Sequence, residues 1–340
     1  MSGSAGAILV SIEELAELGR RVDPVIERYV EKAGEFRSLL LYQLKLGGKR
    51  LRPAVTMLSC EASGGRAEDA LVTAALLELV HNYTLVLDDI IDRADLRRGK
   101  PTVRKRYGDN IAILIGMYYR EIIEDMVLST PSPVEVSKVV SDTIKMIADG
   151  ERLDILFEQA GRSDPYVLEN RYHSVSLRDY IDMVSKKTAA LFAACCKLGA
   201  MMAKADTSTV EKLTRYGWEL GVVFQIADDI IDLFSTKSGK QLGKDIIEHK
   251  LGNVCILVGL EALDAEGRQL VLEKLRKERV VQEDIKQVIS LLEKAGAREK
   301  ALELGRKHVE AARESLAEIP DSRAKRTLLE IPQLALERTY

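Results

Sequence analysis

The chain of 340 residues has little of several features that mark large classes of protein. Its four cysteines show no CxxC spacing and are too few for a disulfide scaffold, so we expect buried thiols in a reducing compartment. The formal charge is only −3, which gives no net field that would attract nucleic acid or anionic lipid. Any binding of anions is therefore expected to be local.

Long apolar runs are also lacking. The run at 111–119 is well short of the roughly twenty residues that cross a bilayer. The first ten residues have no basic region and no adequate apolar stretch, so they do not resemble a secretory signal. We expect no membrane span and a cytoplasmic protein.

Proline is sparse, with eight residues, and no segment alternates apolar and polar side chains long enough to favour a strand. The composition is 46% hydrophobic and 30% charged, which is typical of a globular protein with a large core. Ala, Leu, Glu, Lys and Arg dominate, and these residues favour helix. The sequence predicts an all-α fold of about a dozen helices in a single domain over residues 1–340.

Several helix ends can be predicted from the sequence. Ser11 and Glu14 have the spacing of a capping box, and Pro24 is expected to interrupt the helix that follows. A long helix is expected from about Glu68 to Asp92, and the glycine and proline at 99–101 predict a loop.

The sequence LDDIID at 87–92 carries the first chemical signal. Asp88 and Asp92 are four residues apart, so they share a helix face and repel each other. The pattern recurs in QIADDIID at 225–232, within a second apolar segment. Mg²⁺ takes carboxylate oxygens and usually shares them with phosphates, so two such motifs predict metal sites and an anionic substrate.

Basic clusters stand near the first acidic motif. Lys49, Arg50 and Arg52 follow two glycines and precede a proline, beside the backbone amides of a helix N-terminus. Arg97 and Arg98 follow the acidic motif directly. Arginine suits bidentate contact with phosphate oxygens, so these clusters predict the grip on a phosphorylated substrate.

These motifs, in this order, resemble the trans-isoprenyl diphosphate synthases, also called polyprenyl synthetases. The resemblance rests on GGKRLRP at 47–53, both acidic motifs, Arg97-Arg98-Gly99, Lys187-Thr188, and Gly239-Lys240. One DDxxD motif also occurs in terpene cyclases, whereas two with these flanks are specific to this family. The resemblance implies the isoprenoid synthase fold, a bundle of long helices around a deep central cavity, usually in a homodimer.

The resemblance also implies a reaction. The family condenses isopentenyl diphosphate with an allylic diphosphate by metal-assisted ionisation, without a protein nucleophile, to make precursors for lipid synthesis. By position, Mg²⁺, expected as three ions, would be held by Asp88, Asp92 and Asp228. Isopentenyl diphosphate would be bound by Lys49, Arg52, His81 and Arg98. The allylic diphosphate would be bound by Arg97, Lys187, Lys240 and Lys250, with Thr188 and Gln225 beside the reacting carbon.

Helix geometry agrees with one of these assignments, because His81 precedes Asp88 by seven residues and falls on about the same face. The bland interpretation of Lys187-Thr188 is a helix start with a solvated lysine. His173, His249 and His308 are expected to be structural.

Product length in this family depends on side chains that floor the cavity. Tyr83 stands five residues before Asp88, and Thr84 follows it without a second aromatic ring. This arrangement resembles the archaeal geranylgeranyl type, and a farnesyl diphosphate synthase is the runner-up. The alternative for Tyr83 is an ordinary core aromatic.

Two further classes stay open. A non-catalytic regulatory subunit of a hetero-oligomeric prenyl synthase would characteristically lack one acidic motif, and a terpene cyclase would carry a different second motif. Both motifs are intact here. The sequence departs from the common family pattern at Met117, Arg152 and 251–253, which leaves the substrate detail open.

Overall fold

A computed structural model describes residues 11–235 and 242–338, and nearly all of them lie in helices. The N-terminal third contains α1 (Ile12–Arg20), α2 (Asp23–Val30), a 3₁₀ helix (Glu31–Phe36), α3 (Arg37–Lys45), α4 (Leu51–Ala62), a 3₁₀ helix (Ala67–Ala70), α5 (Leu71–Ile91), β1 (Leu96–Arg97), β2 (Lys100–Pro101), α6 (Val103–Tyr107) and α7 (Asp109–Leu128). The middle contains α8 (Pro133–Leu156), α9 (Pro165–Asn170), α10 (Leu177–Val184), a π-helical turn (Ser185–Ala189), α11 (Ala190–Met202) and α12 (Thr207–Phe234). The C-terminal part contains α13 (Lys244–Ile247), α14 (Val254–Ala262), α15 (Ala265–Leu275), α16 (Gln282–Lys294), α17 (Ala297–Ser315) and α18 (Arg323–Glu337).

The predicted all-α class is confirmed, and the described residues divide into more helices than the dozen expected because short helices fill several of the loops. The capping box is present: Glu14 N donates to Ser11 Oγ (3.1 Å), and Ser11 N donates to Glu14 Oε2 (2.8 Å). Pro24 lies in the first turn of α2, so the interruption that it predicted is confirmed. There its missing N–H costs no helical hydrogen bond.

The loop expected at 99–101 is wrong in detail. Leu96–Arg97 and Lys100–Pro101 form a two-stranded antiparallel hairpin, in which Arg97 pairs with Lys100. Arg98 and Gly99 make the turn, and both have positive φ (54° and 74°). Such short hairpin turns need left-handed residues, and the glycine supplies one of them without strain.

The described chain divides into two compact units. Unit 1 contains residues 11–144, 191–215 and 316–330. Helices α5 and α7 pack on each other within it, and residues 73–80 of α5 are all buried. Unit 2 contains residues 145–190, 216–235, 242–315 and 331–338. Its core includes α14, which is buried between α16 and α17. The single domain over residues 1–340 stays a prediction.

One helical stretch, Ala67–Ile91, is long and apolar enough to cross a membrane by length and composition. However, 61% of its most apolar window is buried inside the protein, as in the core helix of a soluble protein. The four cysteines are free and buried, as predicted. Burial raises the pKa of Cys60 and of Cys195 to about 12, so these thiols are poor nucleophiles.

Candidate active site

The first acidic motif occupies the last turn of α5 in unit 1. Asp88 and Asp92 are half-buried, and the N–H of Asp92 caps the helix by donating to the carbonyl of Asp88 (2.8 Å). Asp89 between them is buried, with 1% of the residue exposed. The helix therefore divides its three carboxylates between two environments.

Asp89 binds Arg97 in a bidentate ion pair. Arg97 Nη2 lies 2.8 Å from Asp89 Oδ1, and Arg97 Nε lies 3.1 Å from both carboxylate oxygens. The hairpin formed by β1 and β2 therefore places Arg97, which is predicted to bind a diphosphate, against the end of α5. Sequence reasoning missed this pair, because adjacency in the motif did not show which aspartate points inward.

Arg50 follows the glycine turn at 47–48. It is the N-cap residue of α4, and its backbone is left-handed (φ 48°). Its guanidinium is buried and donates to Asp23 (2.8 Å), to Glu78 (3.1 Å) and to the carbonyl of Leu44 (3.1 Å). Arg50 is therefore a structural arginine that fixes the turn.

Arg98 lies against this turn. A Cβ added at Gly48 would fall 2.9 Å from Arg98 Nη1 and 3.0 Å from Arg50 Nη1, so it would displace these guanidinium groups, and the positive φ of 144° also favours glycine there. The pKa of Arg98 is lowered by burial and by the positive charges of Arg97, Arg50 and Arg52. The structure gives Arg98 no ion pair with a carboxylate in the part of the chain that it describes.

Arg52 and His81 complete the cluster. The Arg52 guanidinium lies 4.6 Å from the centre of the Phe192 ring, a cation–π contact. The pKa of His81 falls well below its ordinary value because of burial and the neighbouring charges of Arg52, Arg97 and Arg98. The imidazole ring of His81 is therefore neutral. Lys49 is exposed beside Arg50. The structure therefore brings Arg52, His81, Arg97 and Arg98 together, as an anion site requires.

Tyr83 is half-buried on α5 and faces the backbone of α7. A Cβ added at Gly116 would lie 3.3 Å from Leu87 Cδ2 and 3.9 Å from Tyr83 Cε2. The tyrosine ring thus stands about 1.4 turns before Asp88, beside a position without a side chain.

The second acidic motif lies near the end of α12, in unit 2. Asp228 is paired with Arg338 (3.1 Å), which also lies 4.0 Å from the centre of the Phe224 ring. No sequence signal linked Arg338 to this motif. The Asp228 side chain is 41% exposed despite the pair.

Asp229 and Gln225 form a hydrogen-bonded chain with Thr188. Thr188 Oγ1 donates to Gln225 Oε1 (2.8 Å), and Gln225 Nε2 donates to Asp229 Oδ1 (2.9 Å). Asp229 Oδ2 accepts from Val254 N (2.9 Å). This chain fixes the orientation of the Gln225 amide.

Asp232 shapes the turn that begins α13. Its Oδ1 accepts from Lys244 N (3.1 Å), and its Oδ2 accepts from Asp245 N (3.1 Å). The pKa of Asp232 is raised to about 8 by burial and by the charge of Asp245. Its negative charge is therefore costly in the absence of a cation.

Lys187 lies in the π-helical turn Ser185–Ala189, inside one continuous helical stretch. The interpretation of Lys187 as a helix start is therefore wrong: an extra residue per turn bulges out of the helix, as often happens at functional sites. Lys187 Nζ contacts Glu151 (2.7 Å) and Asp154 (2.6 Å). Lys250 Nζ contacts the same oxygen of Asp154 (3.0 Å). Lys240 lies outside the described residues.

The structure shows what surrounds the residues that depart from the common family pattern. Asn253 caps α14 by accepting from Cys255 N (2.9 Å), and its amide donates to Asp245 (2.8 Å). A Cβ at Gly252 would lie 2.7 Å from Phe157. Arg152 pairs with Asp149 (2.7 Å) at the surface, and Met117 is 62% exposed.

The donor set fits Mg²⁺. Within residues 11–235 and 242–338, no three Asp, Glu, His or Cys side chains form a ready metal cage. Mg²⁺ is usually held by one or two carboxylates together with waters and substrate phosphates. Asp88 and Asp92 would supply two such carboxylates in unit 1, and Asp228 would supply one in unit 2. The residues predicted to hold the metal are therefore of the kind and number that suit Mg²⁺.

The chain is similar to known proteins over most of its length. The family model that matches is polyprenyl synthetase, over residues 34–292. The chain is 32% identical to the geranylgeranyl diphosphate synthase of Methanosarcina mazei (98% of this chain, 99% of the relative). It is 33% identical to the geranylfarnesyl diphosphate synthase of Natronomonas pharaonis (92% of each).

A crystal structure of a geranylgeranyl pyrophosphate synthetase from Pyrococcus horikoshii matches with a TM-score of 0.86 and 30% identity, over 96% of this chain and 98% of that one. The all-α fold is thus the isoprenoid synthase fold. The chain belongs to the polyprenyl synthetase family of prenyltransferases.

The raised pKa of Asp232 predicts a pH-dependent stability difference. The folded protein keeps this proton up to about pH 8, whereas an unfolded aspartate loses it near 4, so the wild type loses stability as pH rises between these values. Asp232→Asn lacks this loss. Without metal, the variant should gain on the wild type from pH 5 to 8, by at most about 1.4 kcal/mol per pH unit.

Urea unfolding in EDTA at several pH values measures the difference. Asp206→Asn is the control, because hydrogen bonds from Thr209 lower the pKa of Asp206, so its charge is unchanged from pH 5 to 8. A constant difference between wild type and Asp232→Asn would contradict the prediction.

Proposed function

We propose that the chain condenses isopentenyl diphosphate with an allylic diphosphate and that its main product is geranylgeranyl diphosphate. The observation that carries the proposal is that residues predicted to bind a diphosphate are clustered in each unit. Unit 1 contains Arg52, the neutral His81, Arg97 and Arg98, and unit 2 contains Lys187 and Lys250, which share one oxygen of Asp154. Scattered surface charges would not be brought together in this way.

In unit 1, the proposed ligand is the diphosphate of isopentenyl diphosphate. Arg98 lies beside three other arginines, so a bound anion relieves their mutual repulsion. Guanidinium groups bind phosphate oxygens in pairs, and the neutral His81 can donate one further hydrogen bond. Lys49 adds a mobile charge at the edge of the turn.

In unit 2, Lys187 and Lys250 bind the allylic diphosphate, whose departure starts the reaction. Their charges stabilise the diphosphate more as it separates from the allylic carbon, because negative charge accumulates on it. Arg97, in unit 1, is assigned to the same ligand. Lys240 belongs to this assignment by sequence only.

Thr188 and Gln225 are proposed to stabilise the positive charge that develops on the allylic fragment. The Gln225 carbonyl oxygen is held in place by hydrogen bonds at both ends of its amide. An oriented dipole of this kind costs no reorganisation during the reaction.

Mg²⁺ would be held by Asp88, Asp92 and Asp228, and when bound it neutralises diphosphate oxygens. The number of ions, three, stays a prediction. Because Arg338 is paired with Asp228, it competes with a cation for this carboxylate.

The product assignment rests on Tyr83. Its ring lies on the same helix as Asp88, five residues away, which is about 7.5 Å along the helix axis. Relatives with the names geranylgeranyl and geranylfarnesyl diphosphate synthase share 32% and 33% identity with this chain, so similarity does not choose between products. Farnesyl diphosphate is the shorter alternative.

We also propose a homodimer, which a patch on α7 supports. Ile113, Leu114 and Met117 are 45%, 44% and 62% exposed, and their spacing places them on one side of the helix. Contiguous exposed apolar side chains are typical of an interaction surface.

The activity test is incubation of the purified protein with Mg²⁺, isopentenyl diphosphate and each allylic primer, followed by chromatography of the dephosphorylated products. A twenty-carbon alcohol is expected, with no product in EDTA.

Asp88→Ala and Asp228→Ala should be inactive yet folded by circular dichroism, because each removes a metal ligand. Arg338→Ala removes the cation that competes for Asp228 and should need less Mn²⁺ for half-saturation in a metal-binding titration. Full turnover in EDTA refutes the metal assignment.

Tyr83→Ser should lengthen the product beyond twenty carbons, because it removes the ring that ends the space for the growing chain. The measurement is the product distribution at equal extents of reaction. Tyr118→Ser, on α7 and stacked against Phe36 at 5.0 Å, is the control for loss of a half-buried ring and should leave product length unchanged. An active Tyr83→Ser enzyme with wild-type products would place the floor elsewhere.

Ile113→Glu combined with Met117→Glu should dissociate the homodimer, because two charges would then be buried in the interface. Sedimentation velocity measures the assembly state. Val134→Glu, which replaces another exposed apolar residue (77%), is the control. A wild-type protein that sediments as a monomer at all concentrations would contradict the proposal.

A further inference from the structure

Helix α8 carries a buried aspartate, Asp154, near its C-terminal end. The Asp154 side chain is 7% exposed, and its Oδ2 atom accepts from both Lys187 (2.6 Å) and Lys250 (3.0 Å). These are the two described residues of unit 2 that are assigned to the allylic diphosphate. One carboxylate oxygen therefore joins two ammonium groups that come from distant parts of the sequence.

The backbone around α8 brings the two lysines to this oxygen. Gly150, one turn before Asp154, touches the π-helical turn so closely that an added Cβ would lie 2.3 Å from Lys187 N. Glu158, one turn after Asp154, forms a β-bridge with Lys250. Gly150 and Asp154 share one face of α8, and Glu158 lies two residues beyond the end of that helix. Lys187 is therefore held beside the helix, and Lys250 is held just after it, so that both reach Asp154.

Charge explains why a carboxylate stands at this place. Two ammonium groups on one ligand repel each other, and burial further disfavours their charged forms. Asp154 offsets both effects, and the two lysines in turn hold the pKa of Asp154 below its ordinary value despite its burial. Glu151 pairs with Lys187 (2.7 Å), whereas Glu248 pairs with Lys250 (3.3 Å) and with Lys244 (2.9 Å). Among these described carboxylates, Asp154 pairs with both lysines.

We propose that Asp154 is a positioning residue that holds Lys187 and Lys250 side by side, charged, for the allylic diphosphate. The inference rests on the proposed function, because that assigns the ligand of the two lysines. Asp154 itself does not touch the diphosphate, since like charges repel. Its contribution is to order two long side chains before the ligand binds, which reduces the entropy lost on binding.

The test measures KM and kcat for geranyl diphosphate and for isopentenyl diphosphate between pH 6.5 and 9.5. Asp154→Asn should raise KM for geranyl diphosphate by about tenfold, the size typical of losing a group that orients a ligand-binding side chain. KM for isopentenyl diphosphate should be unchanged. The alkaline rise in KM should begin at a lower pH than in the wild type, because loss of the carboxylate lowers the pKa of both lysines.

Two controls separate positioning from general damage. Asp149→Asn removes an acid on the same helix that pairs instead with Arg152 (2.7 Å) and Lys186 (2.9 Å), and it should leave both KM values unchanged. Asp154→Glu keeps the charge and should restore the wild-type pH profile with a smaller rise in KM. If Asp154→Asn does not fold, the KM of Asp154→Glu for geranyl diphosphate decides, because moving the carboxylate by one methylene should still raise it.

The outcomes distinguish this inference from the proposed function. If Lys187→Ala and Lys250→Ala each raise KM for geranyl diphosphate but Asp154→Asn leaves this KM unchanged, positioning by Asp154 is refuted and the diphosphate site stands. Where Asp154→Asn does not fold, an unchanged KM in Asp154→Glu refutes it in the same way. If neither lysine variant changes this KM, the assignment of the allylic site is wrong. If Asp154→Asn has no further effect in the double lysine variant, Asp154 acts through the lysines, as proposed.

Discussion

Pairing of buried charge is the constraint on which both units depend. Arg50 joins Glu78 in the interior of unit 1, Arg97 joins Asp89 at the end of α5, and Asp154 joins two lysines in unit 2. Leaving one member of such a pair alone in the interior is strongly destabilising. The groups that meet a substrate are therefore held by counter-charges of the protein itself, and their geometry exists before a ligand arrives.

The pairing is incomplete at two places, and in opposite senses. Around Arg98 in unit 1, burial and the positive charges of Arg97, Arg50 and Arg52 lower its pKa. Around Asp232 in unit 2, burial and the charge of Asp245 raise the pKa of both Asp229 and Asp232. A bound anion would relieve the repulsion at the first place, and a bound cation would relieve it at the second.

The sequence was sufficient for the fold class and for the family, because helix propensity and two spaced acidic motifs are local signals. The sequence also indicated that the basic residues at 49–52 and at 97–98 both bind a phosphorylated substrate. The structure brings Arg52, His81 and Arg98 together. What it did not reveal were non-local pairs. The contact of Asp228 with Arg338 joins residues 110 positions apart, and no local pattern indicates it. The hairpin at 96–101 was missed because two-residue strands have no periodicity to detect.

Two of the arginines in unit 1 are subject to a second demand that has nothing to do with charge. Arg50 and Arg98 both have a left-handed backbone (φ 48° and 54°), which is strained for residues with a side chain. Glycine would relieve the strain but would remove the guanidinium, and lysine would keep the charge but lose the planar fork. Sequence drift at these positions is therefore limited from two sides, and a saturation library at 50 or 98 should contain few functional members even among conservative replacements.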